Sequence, residues 1–274
     1  MIFLYIILGL FILFCLSLMT RRARKYHVEN FKNRYIAHRG YFNNEGEAPE
    51  NSLAAFKAAI DKGFPIELDV QFSKEGEIVV FHDFTLKRAC SVDKKVKELT
   101  VSELKELKLF KSEEKIPTFK EVLDFIDGRV PLLIELKVSN VSFELSKRTA
   151  KALENYKGVY SIQSFNPVAV LWWRLNKKEI ARGQLSGELK KFDEHPGAIT
   201  TFLITHLITN IFVLPDFVSF KFEDRHLLCY KLCKAIYRPF TFCWTIKKNE
   251  NLKIGAKEFD GVIFDSCEPS DNRF

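Results

Sequence analysis

The sequence has no low-complexity tract and no longer internal repeat, so repetitive and fibrous architectures are excluded. It also lacks blocks in which basic and aromatic residues interleave. Its net charge of +7, from 42 Lys and Arg against 35 Asp and Glu, is scattered over both signs and marks no nucleic-acid surface. No nucleic acid is expected as a partner; a mildly basic surface suits anionic lipid head groups or phosphate substrates. The six cysteines are Cys15, Cys90, Cys229, Cys233, Cys243 and Cys267. Cys229 and Cys233 have helical i, i+4 spacing, but no second Cys/His pair at zinc-finger spacing accompanies them. They read as core or surface thiols, compatible with a reducing cytoplasm.

Charge is missing altogether from residues 1–19, which are rich in Ile, Leu and Phe. No basic residue precedes this run and no small-residue cleavage site follows it, which excludes a cleaved signal peptide. A rise of about 1.5 Å per residue makes the run just long enough to cross a bilayer. The expectation is an uncleaved, single-pass transmembrane helix over residues 1–20. Arg21, Arg22, Arg24 and Lys25 follow in a basic juxtamembrane linker over 21–34. By the positive-inside rule they keep the remainder, residues 35–274, in the cytoplasm.

That remainder alternates strand and helix signals, and the 26 Phe of the chain are ample material for a core. Strands are predicted at 35–37, 65–70, 132–136, 160–165, 181–185, 217–220, 240–246 and 261–265. A hairpin strand at 78–82 is added after the Glu75-Gly76-Glu77 turn. Helices are expected from an Asn51 or Ser52 cap to 62, and over 100–110 behind a Thr-Val-Ser-Glu capping box. Others are expected over 117–127, 142–155, 167–177, 198–213, 224–236 and 249–256. The helix at 198–213 should pack Ile199, Phe202, Leu203, Leu207, Ile211 and Leu214 on one side, with Thr201, Thr205 and Thr209 on another. The alternative for 198–214 is a place in the membrane interface. Such alternation argues for a parallel α/β sheet.

Chemistry concentrates between residues 36 and 83. The stretch reads Ile-Ala-His-Arg-Gly at 36–40, Ala-Pro-Glu-Asn-Ser at 48–52, Ile-Glu-Leu-Asp-Val at 66–70 and Val-Val-Phe-His-Asp at 79–83. Glu67 and Asp69 are two apart, so a strand projects both from one face, where they repel unless a cation or proton lies between them. Glu135 and Lys137 repeat the spacing in Ile-Glu-Leu-Lys at 134–137. Carboxylates bracketed by His38 and His82 read as a metal-assisted acid–base site. These five motifs, in this order, strongly resemble the glycerophosphodiester phosphodiesterases, and the resemblance runs from about residue 35 to 270.

The eight strand–helix units and the resemblance together imply a (β/α)₈ TIM barrel, a fold of about 250 residues with its site at the C-terminal strand ends. Three carboxylates without thiolates suit a hard divalent cation, Mg²⁺ or Ca²⁺, on Glu67, Asp69 and Glu135, and the resemblance implies the same ligands. Arg39 and Lys137 can neutralise a phosphodiester's non-bridging oxygens. The resemblance makes His38 and His82 the acid–base pair, with the neighbouring glycerol hydroxyl attacking first to give a cyclic phosphate that water opens. Trp244 matches a position used against the glycerol or leaving group, its alternative being simple barrel core. Gln163 and Phe165 are weaker candidates, and Glu50 and Asn51 are read as loop anchor and helix cap. His27, His195, His206 and His226 match no motif. The expected substrate is a glycerophosphodiester, cleaved to sn-glycerol 3-phosphate and an alcohol, or a lysophospholipid. Lysophospholipase D, lyase and non-catalytic head-group binding remain as alternatives.

Overall fold

A computed structural model of the chain describes residues 1–21, 28–189 and 197–274. Among the described residues, largely buried runs of three to seven residues form nine strands. They are β1 (Arg34–His38), β2 (Ile66–Phe72), β3 (Ile78–Val80), β4 (Leu132–Leu136), β5 (Tyr160–Ser164), β6 (Arg182–Ser186), β7 (Phe217–Lys221), β8 (Phe240–Ile246) and β9 (Gly261–Phe264). All but β3 pair in parallel, in the order β1-β9-β8-β7-β6-β5-β4-β2, and a β1–β2 pairing closes the ring. This is the expected eight-stranded barrel. β2 pairs with β1 only through Ile66 and Glu67, and β3 runs antiparallel along Val70–Phe72 as the predicted hairpin.

The helices with described bounds are α1 (Ile2–Ser17), α2 (Leu53–Asp61), α3 (Lys87–Cys90), α4 (Val101–Glu106), α5 (Phe119–Ile126), α6 (Glu144–Ala152), α7 (Pro167–Asn176), α8 (Ala198–Thr205), α9 (Asn210–Val213), α10 (Leu228–Tyr237) and α11 (Asn249–Glu258). Reciprocal capping boxes start α4, through Thr100 and Glu103, and α5, through Thr118 and Glu121. Ser52 rather than Asn51 caps α2, its hydroxyl accepting from Ala55 N at 3.1 Å.

Alternation along the strands divides the interior. Tyr35, Ala37, Ile66, Leu68, Val70, Leu132, Ile134 and Leu136 join the core between barrel and helices. Ile36, Leu133, Ala181, Phe217, Phe242 and Ile263 join a separate cluster inside the barrel, with Phe31 set edge-to-face on Phe242. Each Val, Leu, Ile or Phe among them contributes about 1.5–3 kcal/mol on burial. Gly183 makes room there, since a Cβ would lie 1.9 Å from the Phe217 ring. The inward face that begins at Ile36 and Leu133 continues two residues later to His38 and Glu135. A barrel packed with hydrocarbon at one end is therefore lined with charge at the other.

Three expectations are corrected. α1 has 16 residues, about 24 Å at the helical rise, against a hydrocarbon core of about 30 Å. Among the described residues no helix is long and apolar enough to cross a membrane. The helix stops because the chain turns onto the barrel: the Ser17 hydroxyl donates to Phe14 O, Leu18 is fully buried, and Arg21 N donates to Pro215 O. The expected span over 1–20, the single-pass placement and the membrane partner inferred from it are thus unsupported. Of the basic flank, Arg22, Arg24 and Lys25 lie outside the described residues. The helix expected over 198–213 is broken into α8 and α9, and only part of its expected side packs: Leu207 is fully buried in the core. Thr201, Thr205 and Thr209 are buried while Ile199 and Phe202 are exposed. The reason is polar: Thr205 Oγ1 accepts from Leu189 N, and Ser186 Oγ donates to Ile204 O. The helix expected over 100–110 ends at Glu106, because residues 78–117 fold over their own apolar cluster. Val79, Phe81, Leu86, Ala89, Val96, Leu104 and Ile116 form it beside β2.

Candidate active site

Ladder register assembles the site. Parallel pairing sets His38 opposite Glu67, Asp69 opposite Glu135, and Glu135 opposite Gln163. Glu67, Asp69 and Glu135 are all buried, and one oxygen of each lies within 4.8 Å of the others. Two cations reach this group. Lys137 Nζ is 2.9 Å from Glu135 Oε1 and 3.7 Å from Asp69 Oδ1, and Arg39 Nε is 3.6 Å from Asp69 Oδ2. Asn51 Nδ2 donates to Asp69 Oδ2 at 3.0 Å, and Arg39 N donates to Glu67 Oε2 at 3.2 Å.

Arg39 follows the end of β1 in a left-handed conformation, φ 55°, which costs about 1–2 kcal/mol for a non-glycine residue. Asn51 N holds it there by donating to Arg39 O at 2.9 Å. The next turn residue must be Gly40: its φ is 86° and a Cβ would sit 2.9 Å from Ala55.

The three carboxylates titrate apart. Burial, then the charges of Asp69 and Glu135, push Glu67 well above the usual carboxylate range. Burial also raises Glu135, with Lys137 working against it. At Asp69 burial is outweighed by His82, Lys137 and Arg39, which hold that group below its usual range. Asp69 Oδ1 is buried with no hydrogen bond. A buried, all-oxygen set that two cations leave short of one positive charge fits a hard divalent ion.

Each histidine is tied to a carboxylate. His38 Nδ1 is 2.7 Å from Asp265 Oδ2, just past β9, and His82 Nδ1 is 2.6 Å from Asp83 Oδ1. Burial opposes ionisation of both acids, but their histidine partners and nearby cations hold them below the usual carboxylate range. A carboxylate only accepts, so each Nδ1 donates and each Nε2 keeps its lone pair. Burial, followed by Lys137 and Arg39, lowers His82 to about 4; burial and Arg39 lower His38 as well. The His82 loop is fixed by Gln71, whose Nε2 donates to Phe81 O and Asp83 O at 2.8 Å, and by Phe81 N donating to Asp69 O.

Both imidazoles open onto a cleft of about 370 Å³, lined also by Arg39, Phe42, Asn44, Glu50, Asp83, Arg88, Lys247, Asp265 and Ser266. Of the residues expected from sequence, His38, His82 and Arg39 line this cleft. Lys137 joins the carboxylates reached by Arg39. Trp244 lies on β8, packed edge-to-face on Phe165 at 5.4 Å, with its indole N–H donated to Ser219 O. Gln163 is buried beside Glu135. His206 packs on Phe202 and His226 contacts Glu223 O, while His27 and His195 lie outside the described residues. Sequence reasoning missed Asp265, Arg88 and Lys247. Only Asp265 carried a signal, its place directly after the last barrel strand.

The sequence model of the Glycerophosphoryl diester phosphodiesterase family matches residues 38–196, more than half of the chain. The chain belongs to that family. Sequence relatives include a glycerophosphodiester phosphodiesterase of Caldanaerobacter subterraneus subsp. tengcongensis, 38% identical over 147 residues, covering 49% of this chain and 59% of the relative. A lysophospholipase D of Mus musculus is 32% identical over 142 residues, or 47% of this chain and 43% of the relative. In these alignments the chain spans about half the length of the relatives it matches. A solved phosphodiesterase of Oleispira antarctica, in complex with the product sn-glycerol-3-phosphate, superposes with a TM-score of 0.69 at 26% identity. That match covers 87% of this chain and 95% of that one. The family match and the superposition agree on the barrel fold.

Proposed function

We propose that this chain cleaves glycerophosphodiesters to sn-glycerol 3-phosphate and an alcohol. The observation that carries the reading is the juxtaposition of two Nδ1-anchored imidazoles with a buried triad of carboxylates. Glu67, Asp69 and Glu135 are assigned as ligands of Mg²⁺ or Ca²⁺, which when bound supplies charge neutralisation and Lewis acidity at the phosphodiester. Arg39 offers its fork of donors and Lys137 a point charge to the non-bridging oxygens. Trp244 and Phe165 form an apolar wall for the glycerol carbons.

His38 and His82 exchange protons through Nε2. One accepts the proton of the glycerol hydroxyl next to the phosphate as that oxygen bonds to phosphorus. The other, entering as the imidazolium with a second proton on Nε2, gives that proton to the departing alcohol oxygen as its bond to phosphorus breaks. The resulting cyclic phosphate is opened by water with the two roles reversed. Asp83 and Asp265 fix the tautomers and stabilise whichever imidazole is protonated.

Lysophospholipids are a second substrate class, favoured by the lysophospholipase D relatives. Phosphorus NMR of the full chain with glycerophosphocholine, glycerophosphoethanolamine, glycerophosphoglycerol and the corresponding lyso-lipids tests the reading. The expected product is glycerol 3-phosphate from the glycerophosphodiesters, and its acylated form from any lyso-lipid cleaved, with turnover lost on verified metal removal. Accumulating cyclic phosphate would make the chain a lyase, and binding without turnover would make it a head-group binder.

A further inference from the structure

His38 and the triad stand on barrel strands held by continuous ladders. His82 does not: it lies beyond β3, in the 78–117 segment that packs over its own apolar cluster. Something must fix that segment's imidazole against the barrel to within a fraction of an ångström for proton transfer to work. Gln71 holds the backbone carbonyls on either side of His82 but leaves the Asp83 carboxylate to other partners.

Arg88, on α3 of the same segment, supplies that partner. Its Nε donates to Asp83 Oδ2 at 2.7 Å and its Nη2 to Asp83 Oδ1 at 3.1 Å, the oxygen that also accepts from His82 Nδ1. The other edge of the guanidinium donates to Glu50, from Nη1 to Oε2 at 2.9 Å and from Nη2 to Oε1 at 2.6 Å. Glu50 belongs to the loop between β1 and α2, where Arg39 Nη1 and Asn44 Nδ2 anchor it at 2.6 and 2.8 Å. One planar cation thus spans from the barrel's first loop to the carboxylate that orients His82. We propose that Arg88 is a positioning residue for His82, acting through Asp83 with Glu50 as its fixed support.

The geometry requires a fork. A lysine ammonium keeps the charge but cannot present paired donors to two carboxylates at once. The proposal rests on His82 transferring a proton, and its test separates the two ideas. kcat and KM are measured on a glycerophosphodiester for the full chain and for Arg88→Ala, Arg88→Lys, His82→Ala and the His82→Ala/Arg88→Ala double variant, each checked for folding by circular dichroism. Arg88→Ala is expected to lower kcat about 10- to 100-fold with KM changed less than about threefold, and Arg88→Lys to fall nearly as far. In the His82→Ala background, Arg88→Ala should cost less than about twofold more, and free guanidinium ion should restore part of the single variant's kcat. A fully additive loss in the two backgrounds would overturn the proposal while leaving His82 in the mechanism, as would an Arg88→Ala variant with wild-type kcat. A His82→Ala variant with near-wild-type kcat would overturn the proton-transfer reading and this proposal together. Should Arg88→Ala fail to fold, Arg88→Lys carries the same comparison.

Discussion

Glu50→Gln is the substitution whose effect can be worked most fully from the structure. Burial alone would raise the Glu50 carboxyl, but hydrogen bonds from Arg88, the charges of Arg39 and Arg88, and the Asn44 amide lower it to about 2. Its ordinary value is 4.5, so ionisation in the folded state is favoured by roughly 3 kcal/mol. A carboxylate with a depressed folded-state pKa contributes stability above its unfolded pKa and loses it as pH falls toward the folded value. The gap in unfolding free energy between wild type and Glu50→Gln should therefore be nearly constant from pH 7 to 5. It should then shrink by about 2 kcal/mol by pH 3. Urea denaturation of both proteins at pH 7, 5, 4 and 3 reads this directly, with equal m-values as the control. A gap that does not change with pH would refute the argument, because it would mean that Glu50 acts by shape and neutral hydrogen bonding alone.

Two further outcomes follow from buried charge. In EDTA, Glu67→Gln removes one of three crowded carboxylates and should raise the melting temperature; in excess Ca²⁺ or Mg²⁺ the wild type should gain about 2.7 kcal/mol at a hundredfold excess over Kd, and the variant far less, as differential scanning calorimetry would show. At the other end of the barrel, Arg182 and Asp216 are fully buried and 3.0 Å apart. Asp216→Asn should cost about 3–5 kcal/mol, read as a lower urea midpoint at unchanged m.

Much of this site was legible in the sequence because period-2 spacing is a local property. Glu67 with Asp69, and Glu135 with Lys137, could be assigned to shared strand faces before any pairing was known. What sequence could not supply was register. The resemblance grouped Asp69 with Glu135, but not their place directly opposite one another, and the position of Asp265 after the last strand did not single out His38, 227 positions away, as its partner. Arg88 was invisible for a related reason: its role comes from two carboxylates, one of them 38 positions distant. The misreading of 198–213 has another cause. Helical periodicity assumes that hydroxyls face water, yet Thr205 satisfies a backbone N–H inside the fold and leaves Phe202 outside. For residues 1–20, composition gave the apolar helix correctly but not its end, which tertiary contacts of Ser17, Leu18 and Arg21 decide.

The central claim is that two imidazoles, each anchored at Nδ1, move the protons of phosphodiester cleavage. Its most direct test is kcat for His38→Ala and His82→Ala on the natural diester and on a nitrophenyl ester, whose leaving group departs without a proton. Both variants should lose about 10²- to 10⁴-fold on the natural substrate, with metal-induced stabilisation intact. The nitrophenyl ester should rescue only one of them, identifying the general acid. Near-wild-type kcat in either variant on the natural diester would contradict the account.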